Sequence, residues 1–149
     1  MRRFVIFFAT WGGTGFSPVA SGTVGTLAAI PLYLVLARLP LALYILTLVP
    51  FIFFSCWVSG LAEEIFAEKD SGKIVIDEVV GYLVTMTGVA ASWKWVAAGF
   101  FLFRFFDITK IEPARYCDRH LKNGYGVVLD DVVAGIYACL TIHLMMRFW

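Results

Sequence analysis

The sequence predicts an all-α fold, a polytopic membrane helix bundle of about four to five apolar helices joined by polar cytoplasmic loops. Three observations carry this expectation. Of the 149 residues, 60% are hydrophobic and the mean hydropathy is +0.82, more apolar surface than a chain of this size can bury from water. The apolar residues gather into five segments that approach the length of a membrane span. Two connections, by contrast, are long, polar and charged. The whole chain, 1–149, reads as one integral-membrane domain.

The first apolar segment runs from Val24 to Ala37, the second from Leu41 to Leu61, and the third from Ile74 to Ala91. The fourth covers Trp93 to Phe106 and the fifth Val127 to Met146. A span needs roughly 20 apolar residues, so the second and fifth are long enough, while the first and fourth are short. Arg38 to Pro40 and Ser92 to Lys94 read as tight turns, and Ala62 to Lys73 and Asp107 to Gly126 as the long polar loops. Arg2 and Arg3 before an apolar stretch resemble the start of a signal peptide. No convincing cleavage site follows, and the N-terminus is read as retained.

Placing the N-terminus and both long loops on one side puts Arg2, Arg3, Lys69, Lys73, Lys110, Arg115, Arg119 and Lys122 there, against Arg38, Lys94 and Arg147 opposite. By the positive-inside rule that side is the cytoplasm, as expected of a multi-pass membrane protein with its polar loops inside. The formal net charge of +1 and the lack of a basic run argue against a nucleic-acid partner. Membrane lipids are the expected surroundings, and the sequence leaves a homo-oligomer open.

The chemistry lies in acids set among apolar residues: Asp77 and Glu78 near the start of the third segment, Asp107 at the end of the fourth, Asp130 and Asp131 at the start of the fifth. A carboxylate at membrane depth requires a cation, a base or a water-filled cavity. On the topology above, all five face the same side. Oxygen ligands without a Cys or His set suit a hard ion such as Mg²⁺. The plain alternative, for any single acid, is a helix cap or a partner of the helix dipole. A short echo relates two of these places, since Ile74 to Val80 and Val127 to Val133 share a pattern, with Gly81 and Gly135 close behind.

Arg104, Asp107 and Lys110 recur at helical spacing and can share a face. Taken alone they read as a structural ion-pair ladder, and beside the other four acids as part of a site, the acid toward a metal and Arg104 or Lys110 toward phosphate oxygens. The segment from Gly12 to Gly25, with Gly15, Ser17 and Thr23, supplies flexible backbone and hydroxyls ahead of an apolar helix, a combination that suits anions. It also fits a simple turn and helix cap. Cys56, Cys117 and Cys139 lack the Arg six residues on that a cysteine phosphatase loop requires, Asp-x-Asp is absent, and His120 and His143 have no partner at ligand spacing.

In order along the chain, Gly13 to Pro18 with Gly22 to Gly25, Asp77 to Gly81, Phe103 to Lys110, and Gly124 to Gly126 with Asp130 to Gly135 resemble the phosphatidylglycerophosphatase A family of bacterial membrane enzymes. Ile111 departs from that pattern, and Pro113 keeps it. The resemblance implies a Mg²⁺-dependent phosphomonoesterase that converts the anionic phospholipid phosphatidylglycerophosphate to phosphatidylglycerol. Asp77, Glu78, Asp107, Asp130 and Asp131 would then be the catalytic and metal-holding set. Arg104, Lys110, Arg115, Ser17, Thr23 and Gly15 would hold phosphate. The competing expectation is an ion or proton transporter, which also uses intramembrane acids but would place them near mid-span.

Overall fold

Helices account for all the regular structure in the computed structural model, which describes every residue except Lys122, together with all side chains but those of Asp118 and Asn123. Lys122, counted above among the cytoplasmic charges, thus lies outside the described residues. The helices are α1 (Arg2–Ala9), α2 (Ser21–Leu36), α3 (Leu41–Phe66), α4 (Ile76–Thr85), α5 (Trp93–Thr109), α6 (Ala114–His120) and α7 (Asn123–Phe148), with a 3₁₀ turn at Thr14–Phe16. No strand occurs among the described residues.

Helix α4 is the core. From Ile76 to Thr85 every residue but Glu78 is buried, because α2, α3, α5 and α7 all pack around it. Ten residues rise only about 15 Å, half the thickness of a bilayer's hydrocarbon region. The third apolar segment is therefore a short buried helix and a turn, not a span. Only α3 and α7 have the length and hydropathy of membrane spans among the described residues; α2 is apolar but shorter. Of the four to five apolar helices expected, the two that the sequence made long enough to span are the two that meet this measure.

These two helices do not behave like the core helices of a soluble protein. Within its most apolar window α3 is 28% buried, so most of that surface points outward. Leu46, Val49, Phe53 and Trp57 are exposed along it, as are Ile136, Leu140 and Leu144 along α7. Apolar surface of this kind suits a lipid neighbour.

Buried tyrosines tie the bundle together while spending their polar ends on backbone. The Tyr33 hydroxyl donates to the Val89 carbonyl at 2.8 Å, Tyr44 to Leu83 at 2.6 Å, and Tyr82 to Val96 at 3.0 Å. Each such bond contributes about 1 kcal/mol net, and losing the acceptor would cost more.

Helix boundaries correct the sequence reading in three places. Helix α3 continues to Phe66, taking Glu63 and Glu64 out of the expected loop. Helix α6 occupies the middle of the second polar connection. Helix α7 begins at Asn123, so Asp130 and Asp131 lie two turns inside it rather than at its start. They can be neither caps nor first-turn dipole partners.

Candidate metal and phosphate site

One end of the bundle collects the start of α2, the start of α4, the end of α5 and the first third of α7. The contact that positions the acids is a crossing of α4 and α7 on two glycines. A Cβ at Gly135 would lie 2.5 Å from the Gly81 carbonyl oxygen, and one at Gly81 would lie 2.9 Å from the Asp131 carbonyl oxygen and overlap the Phe103 ring. Only hydrogen at these positions allows the backbones so close. Asp77 precedes Gly81 by four residues and Asp131 precedes Gly135 by four, so each acid stands one helical turn above its glycine on the same face. Two Asp-x-x-x-Gly turns thus pack against each other, in a register one residue removed from the echo in the sequence, which aligns Asp77 with Asp130.

The result is a group of three carboxylates from two helices. Asp77, Glu78 and Asp131 each offer an oxygen, and these atoms all lie within 4.8 Å of one another. Asp77 is 7% exposed and Asp131 3%. One oxygen of each of the three, Oδ1 of Asp77, Oε2 of Glu78 and Oδ2 of Asp131, is buried without a hydrogen-bond partner among the described residues. Buried acceptors left bare are costly, and three like charges together more so. A divalent cation would satisfy all three, and an all-oxygen donor set suits Mg²⁺. Asp77 and Glu78 also sit in the first turn of α4, where the helix dipole favours negative charge.

Asp107 and Asp130 are near enough to repel Asp77 and Asp131 electrostatically, yet both are engaged with bases. Asp107 pairs with Arg104 one turn earlier on α5. Asp130 accepts from the Lys110 ammonium at 3.2 Å. Here the expected ladder on one helical face is corrected: Lys110 caps α5 in a left-handed conformation, φ 45°, which turns it away from Asp107 and across to α7.

The remaining expected phosphate-binding residues fall into three groups. Arg104 is in place, with its Nη1 on Asp107 and its Nε buried without a partner. The start of α2 faces it, since a Cβ on Gly22 would lie 2.6 Å from Glu78 Oε1 and 3.3 Å from Arg104 Nη1. Thr23, next to Gly22, is half-buried in the same turn. Gly15 and Ser17 instead border a separate cleft with Lys73. Arg115 is exposed on α6. Neither Gly22 nor Lys73 is among the phosphate-binding residues expected from the sequence. Gly22 had a usable signal in lying beside Thr23, whereas Lys73 looked like any loop charge.

The cysteines are free thiols. Burial and the nearby Asp130 push the Cys117 thiol above its ordinary pKa, the reverse of what a thiolate nucleophile needs.

A carboxylate group beside a guanidinium, at the end of a bundle with an apolar exterior, has the chemistry that a membrane-associated phosphatase would use. The family profile described as Phosphatidylglycerophosphatase A matches residues 7–146. Proteins named Phosphatidylglycerophosphatase A from Escherichia coli K12 and Haemophilus influenzae are 36% identical over 138 residues and 35% identical over 139. Those alignments cover 92% of this chain in both cases, and 80% and 85% of the relatives. A Bacteroides thetaiotaomicron protein with the provisional name phosphatidylinositol-3-phosphatase is 37% identical over 145 residues, covering 92% of this chain and 90% of its own. The chain belongs to the phosphatidylglycerophosphatase A family, and is an enzyme of the phosphatase class. No solved structure matches it significantly. Nothing in these relationships supports the transporter alternative, and the acids cluster at one end of the bundle rather than along a path through it.

Proposed function

We propose that the chain, acting as one unit, hydrolyses the phosphomonoester of phosphatidylglycerophosphate to phosphatidylglycerol and phosphate with Mg²⁺ held by Asp77, Glu78 and Asp131. The observation that carries this reading is the convergence of those three carboxylates, each with a bare buried oxygen, from two helices crossed on glycine. Bound Mg²⁺ supplies charge for the phosphate oxygens and lowers the pKa of a coordinated water.

The chain's own residues do the rest. Arg104 orients and neutralises the phosphate, held by Asp107 so that its guanidinium faces the start of α2. Backbone amides at the start of α2, with Thr23, add donors for the phosphate oxygens. Lys110 balances Asp130, keeping the charge around the three central acids tolerable. A carboxylate outside the metal set serves as general base.

Purified protein in detergent should release phosphate from phosphatidylglycerophosphate, lose that activity in EDTA and regain it on adding Mg²⁺. Release at full rate in chelator, or none from this lipid under any condition, would refute the proposal.

We place this end of the bundle in the cytoplasm because the basic loops lie there, including Lys69, Lys73, Lys110, Arg115 and Arg119, with Arg3 bordering the same surface as Gly13 and Phe16. A cysteine introduced at the exposed Ala67 should react with a membrane-impermeant reagent only in inside-out vesicles. Reaction in right-side-out vesicles would invert the orientation.

A further inference from the structure

At the start of α2 lies a cleft of about 350 Å³ between residues 15–21 and 68–73. Its walls are tied to each other and to the active site. The Ser21 hydroxyl donates to the Gly72 carbonyl at 2.6 Å, closing one end. A Cβ on Gly15 would overlap the Lys73 carbonyl, so the two backbones touch. Ser21 is followed by Gly22, which packs on Glu78 and Arg104, and Lys73 precedes Asp77 by four residues.

Two charged groups line the cleft. Lys73 is exposed, lies 5.2 Å over the Phe66 ring, and has no carboxylate within ion-pair distance among the described residues. Glu68 is held by the Ser71 hydroxyl, which donates to its Oε2 at 2.8 Å. The Ser17 and Ser21 hydroxyls donate to backbone carbonyls, leaving the ammonium as the donor suited to an anion. Glu68 offers an acceptor for a hydroxyl.

We propose that this cleft is a second head-group site that binds the phosphodiester and adjoining hydroxyl of the lipid whose terminal phosphate sits at the carboxylates, with Lys73 as the specificity-determining residue. The inference rests on the proposed function. A phosphomonoester alone would need only the Arg104 end. A lipid with a diester linkage has a second negative charge a few bonds away, and the cleft places a cation on the neighbouring wall. It would thereby favour phosphomonoesters carried on a polar diester head group over a phosphate attached directly to diacylglycerol.

The test compares phosphatidylglycerophosphate with phosphatidic acid in the same nonionic micelles, using the full-length enzyme. For Lys73→Ala, KM for phosphatidylglycerophosphate should rise about tenfold with kcat within about twofold, a change of about 1.4 kcal/mol in uniform binding. KM for phosphatidic acid should stay unchanged, and Lys73→Arg should retain most of the wild-type KM. An unchanged KM for phosphatidylglycerophosphate, or equal rises for both lipids, would overturn the assignment. A fall in kcat on both lipids would also overturn it, showing that Lys73 acts by holding α4. A wild-type enzyme inactive on both lipids would refute the proposed function, and this inference with it.

Discussion

Replacing Asp131 by Asn is expected to lower turnover about a hundredfold or more, roughly 3 kcal/mol or above in the barrier, while the protein still inserts and purifies. The substitution preserves size and removes the charge that would hold a cation. The same loss is expected for Asp77→Asn, since the two acids face each other across the α4–α7 crossing. A structural role predicts the reverse. Asp131 lies two turns inside α7 and caps nothing, and its Oδ2 has no partner to lose among the described residues. Neutralising an unpaired buried carboxylate would then leave stability unchanged or improved. Phosphate release from phosphatidylglycerophosphate, measured beside thermal stability, separates the cases: near wild-type turnover in both variants would end the shared-site account.

The second large effect is expected at Gly81. Valine there would drive its Cβ into the Phe103 ring and toward the Asp131 carbonyl oxygen, and backbone cannot step aside as a side chain can. Overpacking of this kind costs roughly 1–3 kcal/mol, and this contact belongs at the upper end or beyond. The consequence for function is specific, because separating α4 from α7 pulls Asp77 and Glu78 away from Asp131. Gly81→Val should lower both melting temperature and phosphate release, with activity falling by about tenfold or more even where folded protein is recovered. Wild-type stability and turnover together would show that the crossing does not set the acid geometry.

Much of this was legible in the residues themselves, for reasons that differ from place to place. The acids stood out because a charge inside an apolar run demands a partner: Asp107 and Asp130 have theirs in Arg104 and Lys110, while Asp77, Glu78 and Asp131 meet at one place with bare oxygens. The length of α4 was not legible. The apolar run from Val79 to Ala91 is unbroken by charge, and the helix nonetheless ends at Thr85, after which the chain turns through Gly88, φ 73°. The start of α7 was hidden by Gly124 and Gly126, which read as loop residues. In the fold Gly124 lies against the Cys56 carbonyl and Gly60 of α3, and Gly126 against the Leu121 carbonyl. Close packing, not turn geometry, is their reason. Nor could the pairing of Asp130 with Lys110 be foreseen, since it depends on Lys110 leaving the helix that its spacing suggested.

The central claim is that Asp77, Glu78 and Asp131 together hold the divalent ion on which hydrolysis depends. Its most direct test is Mn²⁺ uptake by the purified enzyme, followed by electron paramagnetic resonance without substrate. Wild-type protein should bind Mn²⁺ and release it to excess Mg²⁺, and Asp77→Asn and Asp131→Asn should each weaken binding by about tenfold or more. Equal Mn²⁺ binding by wild type and both variants would contradict the claim.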